Sequence, residues 1–198
     1  MQNKILDIKS YDDFKHALID SACRKCELAN HRTHIVVDRG NPNADVVMIG
    51  EGPGENEDLQ GKAFVGRAGK LLDGMLGEFD FNTDEHSLII NVVKCRPPGN
   101  RAPKQEEVNA CSPYLKTQLA LVKPRFLLLL GATALKHLFP EKKNVSMKSQ
   151  AGVFFEAHQF PGARIMVLYH PAYILRDPRK RPEMMTHLRV FVSAWRKA

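Results

Sequence analysis

Four cysteines, a glycine-rich acidic loop, an asparagine inside an apolar strand and a His-Pro pair are the residues of this chain with chemistry to offer. Cys23 and Cys26 are separated by two residues, whereas Cys95 and Cys111 stand apart downstream with fifteen residues between them. A two-residue gap lets both thiolates of a pair reach one metal or cluster. A structural zinc usually shows a second tight pair, which is missing, and the looser spacing suits the larger radius of an iron–sulfur cluster. The competing reading is a surface redox pair plus two unrelated thiols. Ligation is preferred, with zinc and cluster both open.

The segment Gly50–Gly69, GEGPGENEDLQGKAFVGRAG, follows an apolar burst at Asp45–Ile49 and precedes Lys70–Leu76, whose apolar residues have helical spacing. A strand that empties into such a loop and then a helix resembles a ligand site at the carboxyl end of an α/β sheet. Gly50, Gly52, Gly54, Gly61 and Gly66 let backbone approach a planar ligand or phosphate closely. The carboxylates Glu51, Glu55, Glu57 and Asp58 argue against a phosphate cradle. No Gly-Lys-Ser/Thr follows, and Pro53 sits where a dinucleotide fingerprint would meet pyrophosphate. Phe64 either plugs the core or offers a stacking platform for a base. Asn91, inside SLIINVV, either pairs with neighbouring backbone or reads a planar ligand with one donor and one acceptor. His170 ends a strand, fixed by Pro171, as a structural residue or as a functional group at the same rim. Arg96, Arg101 and Lys104 gather in one loop, and Arg176, Arg179, Lys180 and Arg181 in another. They form either a solvated face or a phosphate track.

The elements that must position these groups alternate strand and helix. Ser10 caps a helix with Phe14, Leu18 and Ile19 inward. Strands are expected at Asp45–Ile49, Ser87–Val93, Phe126–Leu130 and Arg164–Tyr169, with a short one at Val153–Phe155. Helices are expected at about Arg67–Phe79, from Pro103 to Leu121 with a kink or split at Pro113, at Gly131–Phe139 and at Pro182–Lys197. The last should turn Met185, Leu188, Phe191, Val192 and Trp195 inward. Asn82–His86 reads as a turn and Glu141–Gln150 as a polar excursion. The expected fold is α/β, a three-layer α/β/α domain around a mainly parallel, four-stranded sheet spanning residues 1–198. Loops at the strand ends then meet at one rim, which makes a single composite site.

A net charge of +7 favours a polyanionic partner such as nucleic acid. The N-terminus lacks the pattern of a secretory signal, and no apolar run is long enough to span a bilayer. A cytoplasmic monomer with reduced cysteines and no membrane partner is therefore expected.

Taken together, GEGPGENEDLQGKAFVGRAG, NVVKCRPPGNR and HPAYILR, with the four cysteines, closely resemble the signature segments of the family 4 uracil-DNA glycosylases. The resemblance runs from about Cys23 to the C-terminus. It implies a 4Fe–4S cluster on Cys23, Cys26, Cys95 and Cys111. It also implies cleavage of the N-glycosidic bond of deoxyuridine in single- or double-stranded DNA, starting base-excision repair and releasing free uracil. On that resemblance Phe64 stacks the flipped base, Asn91 reads N3–H and O4, and His170 hydrogen-bonds O2 as charge develops there. Backbone near Glu51 and Gly52 serves the other carbonyl, and Glu57 or Asn100 orients the attacking water or crowds the C5 side. Ile174 or Leu175 wedges into the gap left by the base, unless both simply pack. Ala63 stands where the family commonly has proline. The loop Pro98–Arg101 lacks the basic insertion of relatives that trap abasic DNA, so turnover is expected. No lysine is evidently placed for lyase chemistry. Two alternatives remain: a catalytically weak nucleic-acid-binding module related to segments of phage-type polymerases, and a thiol–disulfide protein built on Cys23 and Cys26.

Overall fold

The computed structural model describes residues 5–142 and 146–198. Helix α1 (Tyr11–Asp20) is capped by the Ser10 hydroxyl, which accepts from the Asp13 amide, and it buries Phe14 and Leu18. Ile19 is 44 % exposed rather than inward. A two-residue strand β1 (Arg39–Gly40) precedes β2 (Val46–Gly50). The glycine-rich loop then forms a short helix α2 (Glu55–Gln60) before α3 (Arg67–Gly77). The Asn82 region closes as one helical turn, α4 (Thr83–His86), with the Asn82 side chain accepting from the Asp84 amide. Strand β3 (Leu88–Asn91) leads through a loop to α5 (Gln105–Val122). Pro113 does not split α5, although it removes one amide donor from the helix.

Strand β4 (Phe126–Leu130) is followed by α6 (Ala132–Leu138). The polar excursion holds α7 (Met147–Gln150), with positions 143–145 outside the described residues. Strands β5 (Phe154–Phe155) and β6 (Arg164–Leu168) follow, then α8 (Pro171–Arg176) and α9 (Arg181–Trp195). In α9 Met184, not Met185, is the buried methionine, while Met185 and Trp195 pack at the core's margin.

The sheet has six strands in the order β1-β3-β2-β4-β6-β5, which corrects the expected four. The four long strands are all parallel, and the two added ones are two-residue antiparallel edges. Alternate side chains serve opposite faces, as the pleat requires. Val46, Met48, Phe126 and Leu128 meet α3 and α9, whereas Val47, Ile49, Leu127 and Leu129 meet α5 and α6. This makes the three layers. Chain order crosses from β2 to β3 on one side and back to β4 on the other, so the carboxyl ends of β2 and β4 flank a topological switch point.

Candidate active site

A cleft of about 930 Å³ opens at those carboxyl ends. Its lining comes from the loop after β2 (Glu51–Glu57), Phe64, Asn91 at the end of β3, Gly131 and Thr133 after β4, and Tyr169, His170 and Tyr173 after β6. The convergence expected from strand alternation is therefore present.

Asn91 is 1 % exposed, and neither its Oδ1 nor its Nδ2 has a hydrogen-bond partner among the described residues. An unpaired buried amide costs about 1–3 kcal/mol, and this one leaves a free donor and a free acceptor at the wall of the cleft. Gly50 explains how the amide fits. A Cβ there would stand 2.5 Å from Asn91 Oδ1 and 2.5 Å from the Phe64 ring. Phe64 is only 5 % exposed, and its ring lies 5.7 Å from that of His170.

His170 is the N-cap of α8. Its Nδ1 accepts from the Ala172 amide at 3.1 Å, which leaves Nε2 to carry the proton of the neutral ring. Burial, with a smaller contribution from the Arg176 charge, lowers its pKa to about 4. The imidazole is thus a neutral donor at physiological pH. Gly131, at φ +95°, lets the chain turn beside it, 3.0 Å from His170 Cβ for any added side chain.

Glu51 accepts from the Thr133 hydroxyl, a partner the motif reading missed. The available signal was position, since Gly131-Ala132-Thr133 leaves a strand at the same rim. Glu57 reaches back into its own loop, accepting from Gly54 N at 3.1 Å and Gly66 N at 2.7 Å. Asn100 is exposed, at φ +56°, and its Oδ1 accepts from Arg96 Nε at 2.8 Å. Of the two wedge candidates, Ile174 is 2 % exposed and belongs to the core, while Leu175 is 37 % exposed and lines the cleft.

Residues 37–196 match the family model of the uracil DNA glycosylase superfamily. The chain belongs to that superfamily. It is 43 % identical over 160 residues to a type-4 uracil-DNA glycosylase of Saccharolobus solfataricus, covering 79 % of this chain and 74 % of the relative. It is 42 % identical over 155 residues to one from Thermotoga maritima, covering 78 % and 79 % of the two chains. The type-4 uracil-DNA glycosylase of Archaeoglobus fulgidus is 37 % identical over 179 residues, covering 89 % of this chain and 88 % of its own.

Within this superfamily member the expected basic residues are placed unevenly. Arg101, Arg176 and Lys180 line the cleft, whereas Arg96, Lys104, Arg179 and Arg181 lie outside its lining. Arg101 holds Glu107 in a bidentate pair at 2.6 and 2.9 Å, and Glu107 is 1 % exposed. That pair keeps the Glu107 carboxyl below its ordinary range and anchors the start of α5. Arg96 faces Glu55, Lys104 faces Glu106, Arg179 faces Asp177, Lys180 faces Glu183 and Arg181 faces Glu78. Arg176 alone of the seven forms no ion pair among the described residues.

The four cysteines are all free, with Cys95 buried and Cys23, Cys26 and Cys111 half-buried. Cys23 and Cys26 lie in the loop after α1, Cys95 in the loop after β3 and Cys111 within α5. Burial, with smaller contributions from neighbouring cysteines and against the charges of Arg32 and Lys94, pushes the Cys95 thiol up to about 12 and the Cys111 thiol up to about 11. Arg32 donates to the Cys23 carbonyl at 2.8 Å and to Cys95 Sγ at 3.4 Å, and the Tyr114 hydroxyl lies 3.5 Å from Cys23 Sγ. Among the described residues no three His, Cys, Asp or Glu side chains are drawn close enough to hold a single metal ion. No helix of the described residues is long and apolar enough to cross a membrane.

Proposed function

We propose that this chain removes uracil from DNA, flipping the nucleotide into the cleft and hydrolysing its N-glycosidic bond to leave an abasic site. The observation that carries this reading is the unpartnered Asn91 amide, buried beside Phe64 and His170. Uracil presents N3–H and O4 on one edge, matching the acceptor and donor of that amide. Cytosine presents the reverse polarity and meets the amide only if it is turned over. The Phe64 face stacks the base. Nε2–H of His170 donates to O2, where negative charge gathers as the bond breaks, an electrostatic role for a group already neutral and oriented. Glu57, held by two loop amides, keeps spare lone pairs to orient the attacking water, and Asn100 supports the rim through Arg96. Leu175 is the wedge, and Arg176 is the cation with most to offer a phosphate.

The test is incubation of single-stranded and duplex oligonucleotides carrying one uracil, followed by alkaline cleavage. Strand scission at the uracil is expected on both. No release from either overturns the reading.

We further assign a 4Fe–4S cluster to Cys23, Cys26, Cys95 and Cys111. The donor set fits it: four free thiols come from three stretches of chain, the Cys26, Cys95 and Cys111 thiols are raised by burial and by neighbouring cysteines, and Arg32 and Tyr114 donate toward the sulfurs. A cluster's thiolates stand farther apart than the ligands of one ion. Bound by these four thiolates, the cluster would supply the iron charge that lets buried sulfurs stay deprotonated, and its ligands would tie the loop after α1, the β3 loop and α5 together. Purified protein should be brown with a broad absorption near ~400 nm, and Cys95→Ser should lose that colour and lower the Tm. A colourless protein binding one zinc per chain overturns the assignment.

A further inference from the structure

The floor of the cleft is held from behind. Phe64 has φ +53°, a left-handed backbone that side chains with a Cβ resist. Such a conformation persists only where its surroundings over-determine it. Two groups do so here. The Phe64 carbonyl lies over Gly69, where an added Cβ would stand 1.8 Å from the oxygen. The same carbonyl accepts from Arg39 Nη1 at 2.7 Å.

Arg39 is on β1, outside the segments that carry the family resemblance. Its side chain is only 12 % exposed, and each of its three guanidinium nitrogens donates. Nε donates to Asp84 Oδ1 at 2.7 Å, and Nη2 donates to Asp73 Oδ2 at 3.0 Å and Thr83 Oγ1 at 3.1 Å. The Thr83 hydroxyl donates in turn to Asp73 Oδ1 at 2.7 Å. A planar guanidinium fixed at its back by α3 and α4 therefore presents one remaining arm to one carbonyl. Lysine, a single point donor, cannot make this set of bonds.

We propose that Arg39 is a positioning residue for base stacking: by fixing the Phe64 carbonyl it sets the plane of the ring that the flipped base lies upon. The inference rests on Phe64 being the floor of a uracil pocket. It assigns a specific task to a residue outside the lining of the cleft.

Free uracil is the probe, because its inhibition constant reads the pocket without DNA or bond cleavage. Arg39→Met and Arg39→Lys should each weaken uracil inhibition and raise KM by about tenfold, with a smaller effect on kcat. In a Phe64→Ala background, Arg39→Met should add nothing to the loss, since the ring it positions is gone. Asp73→Asn, which loosens the guanidinium without altering β1, should move uracil inhibition in the same direction at an unchanged Tm. A role confined to the sheet edge would lower the Tm and leave the inhibition constant of folded protein where it was. Equal losses in the wild-type and Phe64→Ala backgrounds, or unchanged uracil inhibition in all three single variants, overturn the proposal. Failure of the wild-type protein to release uracil at all instead overturns the functional reading on which it stands.

Discussion

Replacing His170 with alanine lowers kcat for uracil release by about 10²–10³-fold with little loss of affinity for DNA. The ring is neutral, is oriented by the Ala172 amide on Nδ1, and has its one proton on Nε2. Its removal deletes a preorganised donor at the carbonyl where charge develops, an interaction stronger in the transition state than in the ground state. The same change uncaps α8. A lost cap costs about 1 kcal/mol, so activity and stability must be read separately. His170→Asn separates them, because asparagine is a good N-cap but cannot reach as the imidazole does. Its Tm should return toward wild type while kcat stays low. Recovery of kcat with the cap would assign His170 to scaffold.

The pH profile follows from the direction of the shift. A folded pKa lowered from 6.5 to about 4 keeps the ring neutral, so His170 should impose no fall in kcat between pH 8 and about 5. Its contribution to stability is fully present above the unfolded value of 6.5 and is lost as pH falls toward 4, because the unfolded chain takes up the proton first. A limb in kcat centred near 6.5 that disappears in His170→Asn would show an imidazolium at work instead.

Asn91→Ala is expected to cut kcat/KM for uracil by roughly 10²–10³-fold without lowering the Tm. The second half is the sharper one. A buried asparagine that braced a neighbouring strand would take stability with it when removed. Here neither amide atom has a partner among the described residues, so the folded protein already bears the desolvation cost, and alanine relieves it. Against that stands the small cavity left by the shorter side chain. Loss of activity at a steady or higher Tm is the signature of a group held ready for a ligand. A clear fall in Tm with activity retained would make Asn91 a structural residue.

Particular residues show how far the sequence could be read. The four parallel strands were legible because each is built on a run of apolar residues, unbroken in β4, as suits a strand covered on both faces. The two-residue edges β1 and β5 made the sheet six-stranded, and β1 escaped notice because Arg39-Gly40 carries no pattern of its own. It is a strand only because β3 offers it a free edge. Helix α2 was hidden inside the glycine-rich loop, since its polar run ENEDLQ has no apolar stripe. Met184 and Met185 were exchanged because neighbouring positions both suit the inward face, and only the packed partners choose between them.

Strand alternation sends the loops after β2, β3, β4 and β6 to one rim, so the meeting of Glu51, Asn91 and His170 was already written in the order of the elements. The state of each group once there was not. Six of the seven cations expected to follow phosphates have carboxylate partners, Arg181 with Glu78 across more than a hundred residues among them. Phe64, which the sequence left as core plug or stacking platform, is buried at the cleft with its backbone held by Arg39 and Gly69. Local composition fixes strand and helix because those interactions are short in sequence. Burial, charge pairing and ring orientation depend on neighbours brought from elsewhere in the chain, and only the folded protein supplies them.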